Sequence, residues 1–343
     1  MSKKAKLAII IPIVIVVAIG IVAGAMAGSA RAYDNTEETA FLSEWMKYLS
    51  DDALLCETVI PGAHDAGTVG MMWAAETQNR TVAEMLACGA RYFDLRVEND
   101  GGNLVVFHGP IKGMSILPII DAISEFLTNH PSETLLLDFQ HFENDGSMEG
   151  VDSLLKEKLN GKLVVNDTDK SDLQFAKELT VGAARGKAMV FWGNYFKNTS
   201  ECEYINGRNY LFARNNDAGT RTDSTLHSFY KGALNRLASK TYLKKAIPEY
   251  VEQFRQSDGG FFVMQMQLTD PIAIIGPKFY EGTHNKNASS FVKSLKDKEY
   301  FDVVNIVMRD YIGAEKCKEI IALNEYKGTV KSSMSDEFAS KCA

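Results

Sequence analysis

Pro61-Gly62-Ala63-His64-Asp65-Ala66-Gly67-Thr68 decides how this chain is read, together with Arg91-Tyr92-Phe93-Asp94-Leu95-Arg96 and Val106-Phe107-His108-Gly109-Pro110. In each, a short apolar run gives way to polar side chains able to handle protons or hold an anion. Two histidines, one arginine and two aspartates emerge within 45 residues, from His64 to His108. These residue types suit one chemistry in particular. One imidazole takes a proton from a nucleophilic hydroxyl, a second returns one to a leaving oxygen, and a guanidinium holds the charge on phosphorus. That is the inventory for acid/base attack on a phosphodiester.

Working outward, eight runs read as strands: Glu57–Pro61, Ala90–Val97, Leu104–His108, Thr134–Phe139, Lys187–Trp192, Tyr210–Ala213, Phe261–Leu268 and Val303–Arg309. Most are short and rich in Val, Ile, Leu or Phe, as strands covered on both faces are. Helical spacing intervenes. Ile119, Ile120, Ile123, Phe126 and Leu127 fall on one face of Ile116–His130, which Pro131 ends because it lacks an amide hydrogen. Ser228–Arg255 is helix-rich as well. Strand and helix alternate in this way across residues 40–325, which predicts an α/β fold, a distorted TIM (β/α)8 barrel. Residues 326–343 read as a polar C-terminal tail.

A barrel collects the loops after its strands on one rim, where catalysis sits. His64, His108 and Asp310 fall at or just past strand ends. Alternation sets Asp94 and Arg96 on one face of their strand, with Phe93, Leu95 and Val97 on the other. Gln265 and Gln267 repeat that spacing on an otherwise apolar run, where buried amides need partners such as a polyol or water.

Composition narrows the partners. The chain has 343 residues, 45% of them hydrophobic, with 37 basic against 44 acidic residues for a net charge of −7. Without a basic block, nucleic-acid binding is not expected. No protein partner is inferable. The N-terminus departs from globular composition: after Lys3, Lys4 and Lys6, Leu7–Gly28 is a run of 22 uncharged residues. As a helix it would span about 33 Å, enough to cross a bilayer core. Residues 1–32 are therefore expected to be a transmembrane anchor or a signal segment, cleavable at Ala30-Arg31-Ala32. The one-sided lysines put the globular part on the exoplasmic side in either case, membrane-anchored or secreted. Five cysteines (Cys56, Cys88, Cys202, Cys317, Cys342) lack zinc spacing and leave room for one or two disulfides. Sequons occur at Asn79, Asn166, Asn198 and Asn287.

These motifs, in this order, resemble the X-box region of phosphatidylinositol-specific phospholipases C. The resemblance rests on Pro61–Thr68, Arg91–Arg96, His108-Gly109-Pro110 and Phe126–Phe142. Phe261–Asp270 and Val304–Gly313 look like later segments of the single-domain members, so the similarity runs over roughly residues 45 to 315. It implies cleavage of phosphatidylinositol, or a related inositol lipid at a phospholipid membrane, to diacylglycerol and a cyclic inositol phosphate. By the same resemblance, His64 is the general base, His108 the general acid, and Arg96 the phosphate-holding group. Asp310 orients His64, Asp65 pairs with His108, and Asp94 supports the phosphate end. Gln140, Gln265 and Gln267 are candidate substrate-binding residues. Calcium-dependent members carry Asn after the first histidine and an acidic pair on the second strand. Here Asp65 follows His64 and Arg96 replaces the second carboxylate, so neither calcium nor another cofactor is expected. Two departures concern the headgroup. Gln140 stands where secreted bacterial members place a basic residue, and no arginine appears along Phe191-Trp192-Gly193-Asn194. The alternatives are a metal-dependent barrel phosphodiesterase, of the glycerophosphodiester or sphingomyelinase D type, and a membrane-anchored headgroup binder without turnover.

Overall fold

The computed structural model describes residues 36–193, 204–215, 224–269 and 276–343. Within them the strands are β1 (Ile60–Ala63), β2 (Tyr92–Asp100), β3 (Asn103–His108), β4 (Ile111–Ser115) and β5 (Leu135–Glu143). They continue with β6 (Ala188–Trp192), β7 (Leu211–Ala213), β8 (Leu226–Ser228), β9 (Phe261–Gln265) and β10 (Ile306–Arg309). Eight of them pair in parallel in the order β7-β6-β5-β2-β1-β10-β9-β8. A parallel bridge between Arg214 and Leu226 links the two ends. There Thr225 N donates to Ala213 O at 2.8 Å and Asn215 N to Leu226 O at 2.9 Å. The result is a nearly closed parallel barrel, the distorted TIM architecture that the alternation predicts.

Membership of the barrel differs from the expectation at one strand. Leu104–His108 is not a barrel strand: β3 runs antiparallel to β2, with Val97 opposite Val106 and Asp100 opposite Asn103. Gly101 (φ 61°) and Gly102 (φ 97°) make the tight turn between them. Two consecutive residues at positive φ suit the twist of a two-residue hairpin, and glycine adopts them without strain. β4 pairs back onto β3 and completes a flap off the barrel. The missing barrel strand is β8, only three residues long and carrying the buried polar pair His227 and Ser228. Neither its length nor its composition marks it as a strand.

Alternation along β2 is as expected. Phe93, Leu95 and Val97 are fully buried under the helices, while Asp94 and Arg96 line the barrel mouth. Arg91, one residue before β2, faces the opposite end of the barrel. Its guanidinium meets Glu133 at 2.7 Å and donates to the carbonyls of Leu42 and Ser43, both at 2.9 Å. Both charges are buried, so removing either would leave the other unpaired, and the pair fixes the entering chain to the barrel floor. The helix Leu117–Asn129 stops before Pro131 and buries the five predicted residues.

The polar C-terminal tail, residues 326–343, carries the helix Ser335–Cys342, and the chain just before it is anchored to the fold. Asn324 is fully buried, exchanging hydrogen bonds of 2.8 Å with both the N–H and the C=O of Val59. The helix Ser335–Cys342 inserts Phe338, with ring centroids 6.1 Å from Phe41 and 5.9 Å from Tyr48. One aromatic anchor in a polar helix is too sparse to register as periodicity. Cys56, Cys88, Cys317 and Cys342 carry free thiols, so no disulfide joins the described cysteines, and Cys202 lies outside the described residues. Leu7–Gly28 also lies outside them; among the described residues no helix is long and apolar enough to cross a membrane.

Candidate active site

The C-terminal ends of the strands open into a cavity of about 290 Å³ lined by His64, Asp65, Asp94, Arg96, His108, Gln140, Gln265, Gln267 and Asp310. Every site residue singled out in the sequence reaches it. His64 follows β1 and Asp310 follows β10, adjacent parallel strands in register from Ile60 and Ile306 to Ala63 and Arg309. That register brings His64 Nδ1 to 2.6 Å from Asp310 Oδ1. With Asp310 ionised, Nδ1 carries the proton and Nε2 is left as the basic nitrogen.

Asp65 is the hub. Its Oδ1 lies 2.6 Å from Arg96 Nε, and its Oδ2 lies 3.2 Å from His64 Nε2 and 3.6 Å from His108 Nε2. Asp65 therefore lies against His108 and also bridges both histidines to the guanidinium. His108 comes from the end of the flap strand β3 rather than from a barrel strand. Its Nδ1 is held by the Ala75 carbonyl at 2.7 Å, which leaves Nε2 turned toward Asp65. The preceding residues of that rim loop, Met72 and Trp73, are 53% and 45% exposed.

Burial and charge set the protonation states. Burial pulls the His64 imidazole toward its neutral form, yet Asp65 and Asp310 outweigh it and hold its pKa up to about 9. Burial likewise raises the Asp65 carboxyl, but Arg96, His64 and His108 overcome that and keep it below the usual carboxylate range. Burial, reinforced by the Asp65 carboxylate, lifts Asp94 to about 7. Asp94 accepts from Gln140 Nε2, and its Oδ2 lies 3.4 Å from the Asp65 N–H. Arg96 lowers both neighbouring carboxyls, but burial and the Asp65 carboxylate prevail at Asp94, so the two are driven to opposite protonation behaviour.

The neutral wall of the cavity is a ladder of amides. Gln267 Nε2 donates to Gln265 Oε1 at 3.0 Å, and Gln265 Nε2 donates to Ser228 Oγ at 2.8 Å. Gln267 itself lies just beyond β9, which ends at Gln265. Sequence reasoning missed the pair on the cavity floor, Asp138 and Arg214, whose Oδ1 and Nε are 2.8 Å apart. Tyr92 donates its hydroxyl to Asp138 Oδ2 at 2.7 Å. Asp138 and Gln140 stand two apart on β5, the spacing that singles out Asp94 and Arg96, so that signal was readable. Arg214 follows a three-residue strand and offers no such pattern.

The same geometry gathers three possible metal donors. Donor atoms of His64, Asp65 and Asp94 lie within 4.8 Å of one another. A cation there would compete with Arg96 for Asp65 and with Gln140 for Asp94, so the donor set already has a fixed positive partner.

Residues 52–192 match the family model described as phosphatidylinositol-specific phospholipase C, X domain. A 1-phosphatidylinositol phosphodiesterase of Listeria monocytogenes is 25% identical over 294 residues, covering 82% of this chain and 85% of that protein. Human PI-PLC X domain-containing protein 2 is 43% identical over 70 residues, 19% of this chain and 23% of that protein. Among solved structures, the Listeria phosphatidylinositol-specific phospholipase C superposes with a TM-score of 0.62 at 22% identity, over 82% of this chain and 97% of that one. A pentafluoro-Phe form of the Staphylococcus aureus enzyme gives 0.61 at 17% identity, over 86% and 99%.

Proposed function

We propose, from the premise that this chain belongs to the phosphatidylinositol-specific phospholipase C X-domain family through residues 52–192, that it is a phosphodiesterase cleaving phosphatidylinositol or a related inositol lipid. The observation that carries this reading is the continuous contact from Asp310 through His64 and Asp65 to His108, with Arg96 on the same carboxylate. His64 Nε2, in its neutral form, takes the proton of the inositol 2-hydroxyl while Asp310 holds Nδ1–H. The freed oxygen attacks phosphorus and closes a cyclic phosphate. The bond from phosphorus to the diacylglycerol oxygen breaks, and His108 Nε2–H supplies that oxygen with a proton. Arg96, largely buried beside Asp65, holds the phosphoryl oxygens as their charge grows. The resting pKa of about 9 makes His64 a strong base that is mostly protonated at neutral pH. The rate therefore rises with pH along the limb that His64 sets.

Gln140, Gln265 and Gln267 present neutral amides to ring hydroxyls, and Arg214 supplies the charged contact at the cavity floor that Gln140 does not. Arg96 takes the place of calcium. The apolar run Leu7–Gly28 with its one-sided lysines supports an exoplasmic enzyme at a bilayer, anchored or released by cleavage. A metal-dependent reaction is the second reading, favoured by the spacing of His64, Asp65 and Asp94. One experiment separates them: cyclic inositol phosphate release from phosphatidylinositol vesicles in excess chelator, for the wild type, His64→Ala and His108→Ala. Metal-free turnover in the wild type, lowered at least about 10²-fold in each folded variant, is expected. Activity that returns only with added calcium overturns the metal-free reading. The absence of turnover with or without metal leaves a headgroup binder.

A further inference from the structure

Behind the His64–Asp310 pair lies a second set of charges that the chemistry above does not use. Lys316 Nζ donates to the backbone carbonyl of Asp310 at 2.7 Å and to Glu281 Oε1 at 2.5 Å. The same Glu281 oxygen lies 3.0 Å from Arg309 NH2. All three side chains are nearly or fully removed from solvent, at 12% exposure for Lys316, 7% for Glu281 and none for Arg309. Lys316 is the third residue of the helix Ala314–Ile321. A cation in the first turn of a helix opposes the helix dipole, and burial adds a desolvation cost. Two local rules are broken at one residue that touches the segment carrying Asp310. Such violations are expected where function compensates them.

We infer that Lys316, Glu281 and Arg309 form a charge relay, a set of positioning residues that fixes Asp310 and sets how readily His64 releases its proton. This rests on the reading of His64 as the base. Two cations and one anion leave a net charge of +1 behind Asp310. Burial pushes the Asp310 carboxyl up from the usual carboxylate range, the His64 imidazole pulls it back, and Glu281 adds to the rise. Burial raises Glu281 too, but Lys316 and Arg309 prevail and keep it ionised. Burial makes Lys316 release its proton more readily than a free lysine, an effect that Glu281 opposes. Two further ionisable neighbours add no charge: burial lowers the His284 pKa to about 4, and burial pushes the Tyr311 hydroxyl well up. On the other side His64 faces Asp65 and Asp94, with Arg96 and His108 on the same Asp65 carboxylate, and these substitutions leave all four in place.

The signs follow from counting charge. Lys316→Met reduces the net charge behind Asp310 from +1 to 0, favours the protonated His64, and moves the rising limb of kcat/KM to higher pH. Glu281→Gln raises it to +2 and moves the limb to lower pH. Each shift is expected on the order of one pH unit, for charges a few Å from the pair in a partly desolvated setting. The double variant restores +1, and its limb returns to the wild-type position. The His64 imidazole resonances, titrated by NMR in the same proteins, should move in parallel. A purely structural role would lower kcat without opposite shifts, so shifts of one sign, or none, overturn the relay. Glu281→Gln is nearly isosteric and carries the test alone if Lys316→Met does not fold. NMR shifts of opposite sign in a protein without lipid turnover would uphold the relay and refute the reaction; turnover with unmoved resonances would do the reverse.

Discussion

Asp65→Asn tests the hub of the site with minimal disturbance. Asp65 sits at φ 44°, in the left-handed region, which asparagine tolerates far better than a branched residue. The amide keeps the shape and removes the charge that meets Arg96 at 2.6 Å and His64 at 3.2 Å. Breaking a buried ion pair costs about 3–5 kcal/mol; because Arg96 and His64 keep some contact with solvent, about 3 kcal/mol is the better figure. The pH dependence carries a signature. Asp65 has a depressed folded pKa, so its contribution is present above the carboxylate range and is lost as pH falls through the folded value. His64 has a raised pKa, so its share is fully present below its unfolded value of 6.5 and is lost as pH rises through about 9. The stability gap between the wild type and Asp65→Asn should therefore be widest near about pH 5–6 and narrow on both sides. Urea unfolding at a series of pH values reads this directly. Lipid turnover should fall by about 10²–10⁴-fold, since both histidines lose their shared anion. A gap that stays flat from acid to alkaline pH, or near-normal turnover in the folded variant, refutes the hub.

Two further outcomes follow. Arg96→Lys should stay impaired by about 10²-fold despite keeping its charge, because an ammonium cannot reproduce the planar fork, and added calcium should not restore it; steady-state kinetics with and without chelator decide this. Deleting residues 1–32 should give a soluble protein that still cleaves detergent-dispersed phosphatidylinositol, since every residue lining the cavity lies beyond them; loss of activity in a folded product would show that the segment does more than target the chain.

What was legible in the sequence follows from which signals are local. Strands buried on both faces announce themselves as apolar runs, so β2, β5, β6 and β9 were found within a few residues. The period of two put Asp94 and Arg96 on one face without any tertiary knowledge. β8 escaped because three residues, two of them polar, carry no pattern. β3 was found but misassigned, because an apolar run does not say whether its partner is parallel. Only the paired glycines Gly101 and Gly102 distinguish a hairpin from a crossover, and that turn was available to be read. Arg214 and the Lys316–Glu281 contact depend on residues brought together from far along the chain, and no spacing rule reaches them.

Strain marks the same place as charge. Among the described residues, only Asp65, Asn144 and Tyr311 are non-glycine residues at positive φ, and two of the three immediately follow His64 and Asp310. Such a backbone costs of order 1–3 kcal/mol at each position and persists only where surrounding contacts over-determine it. Those contacts are present. Gln78, fully buried, donates its amide to the carbonyls of His64 at 2.9 Å and Arg309 at 3.0 Å, and its Oε1 accepts from Ile312 N at 2.9 Å. Thr77 O accepts from Tyr311 N at 2.8 Å, and the Thr77 hydroxyl lies 3.1 Å from the His64 carbonyl. One short segment thus clamps both strand ends. The rim loop that binds His108 through Ala75 runs directly into that clamp. His64, His108 and Asp310 are therefore held by residues 75–78 as well as by the barrel. The distances between these groups are set by a loop whose sequence, Ala75-Glu76-Thr77-Gln78, shows none of the chemistry it organises.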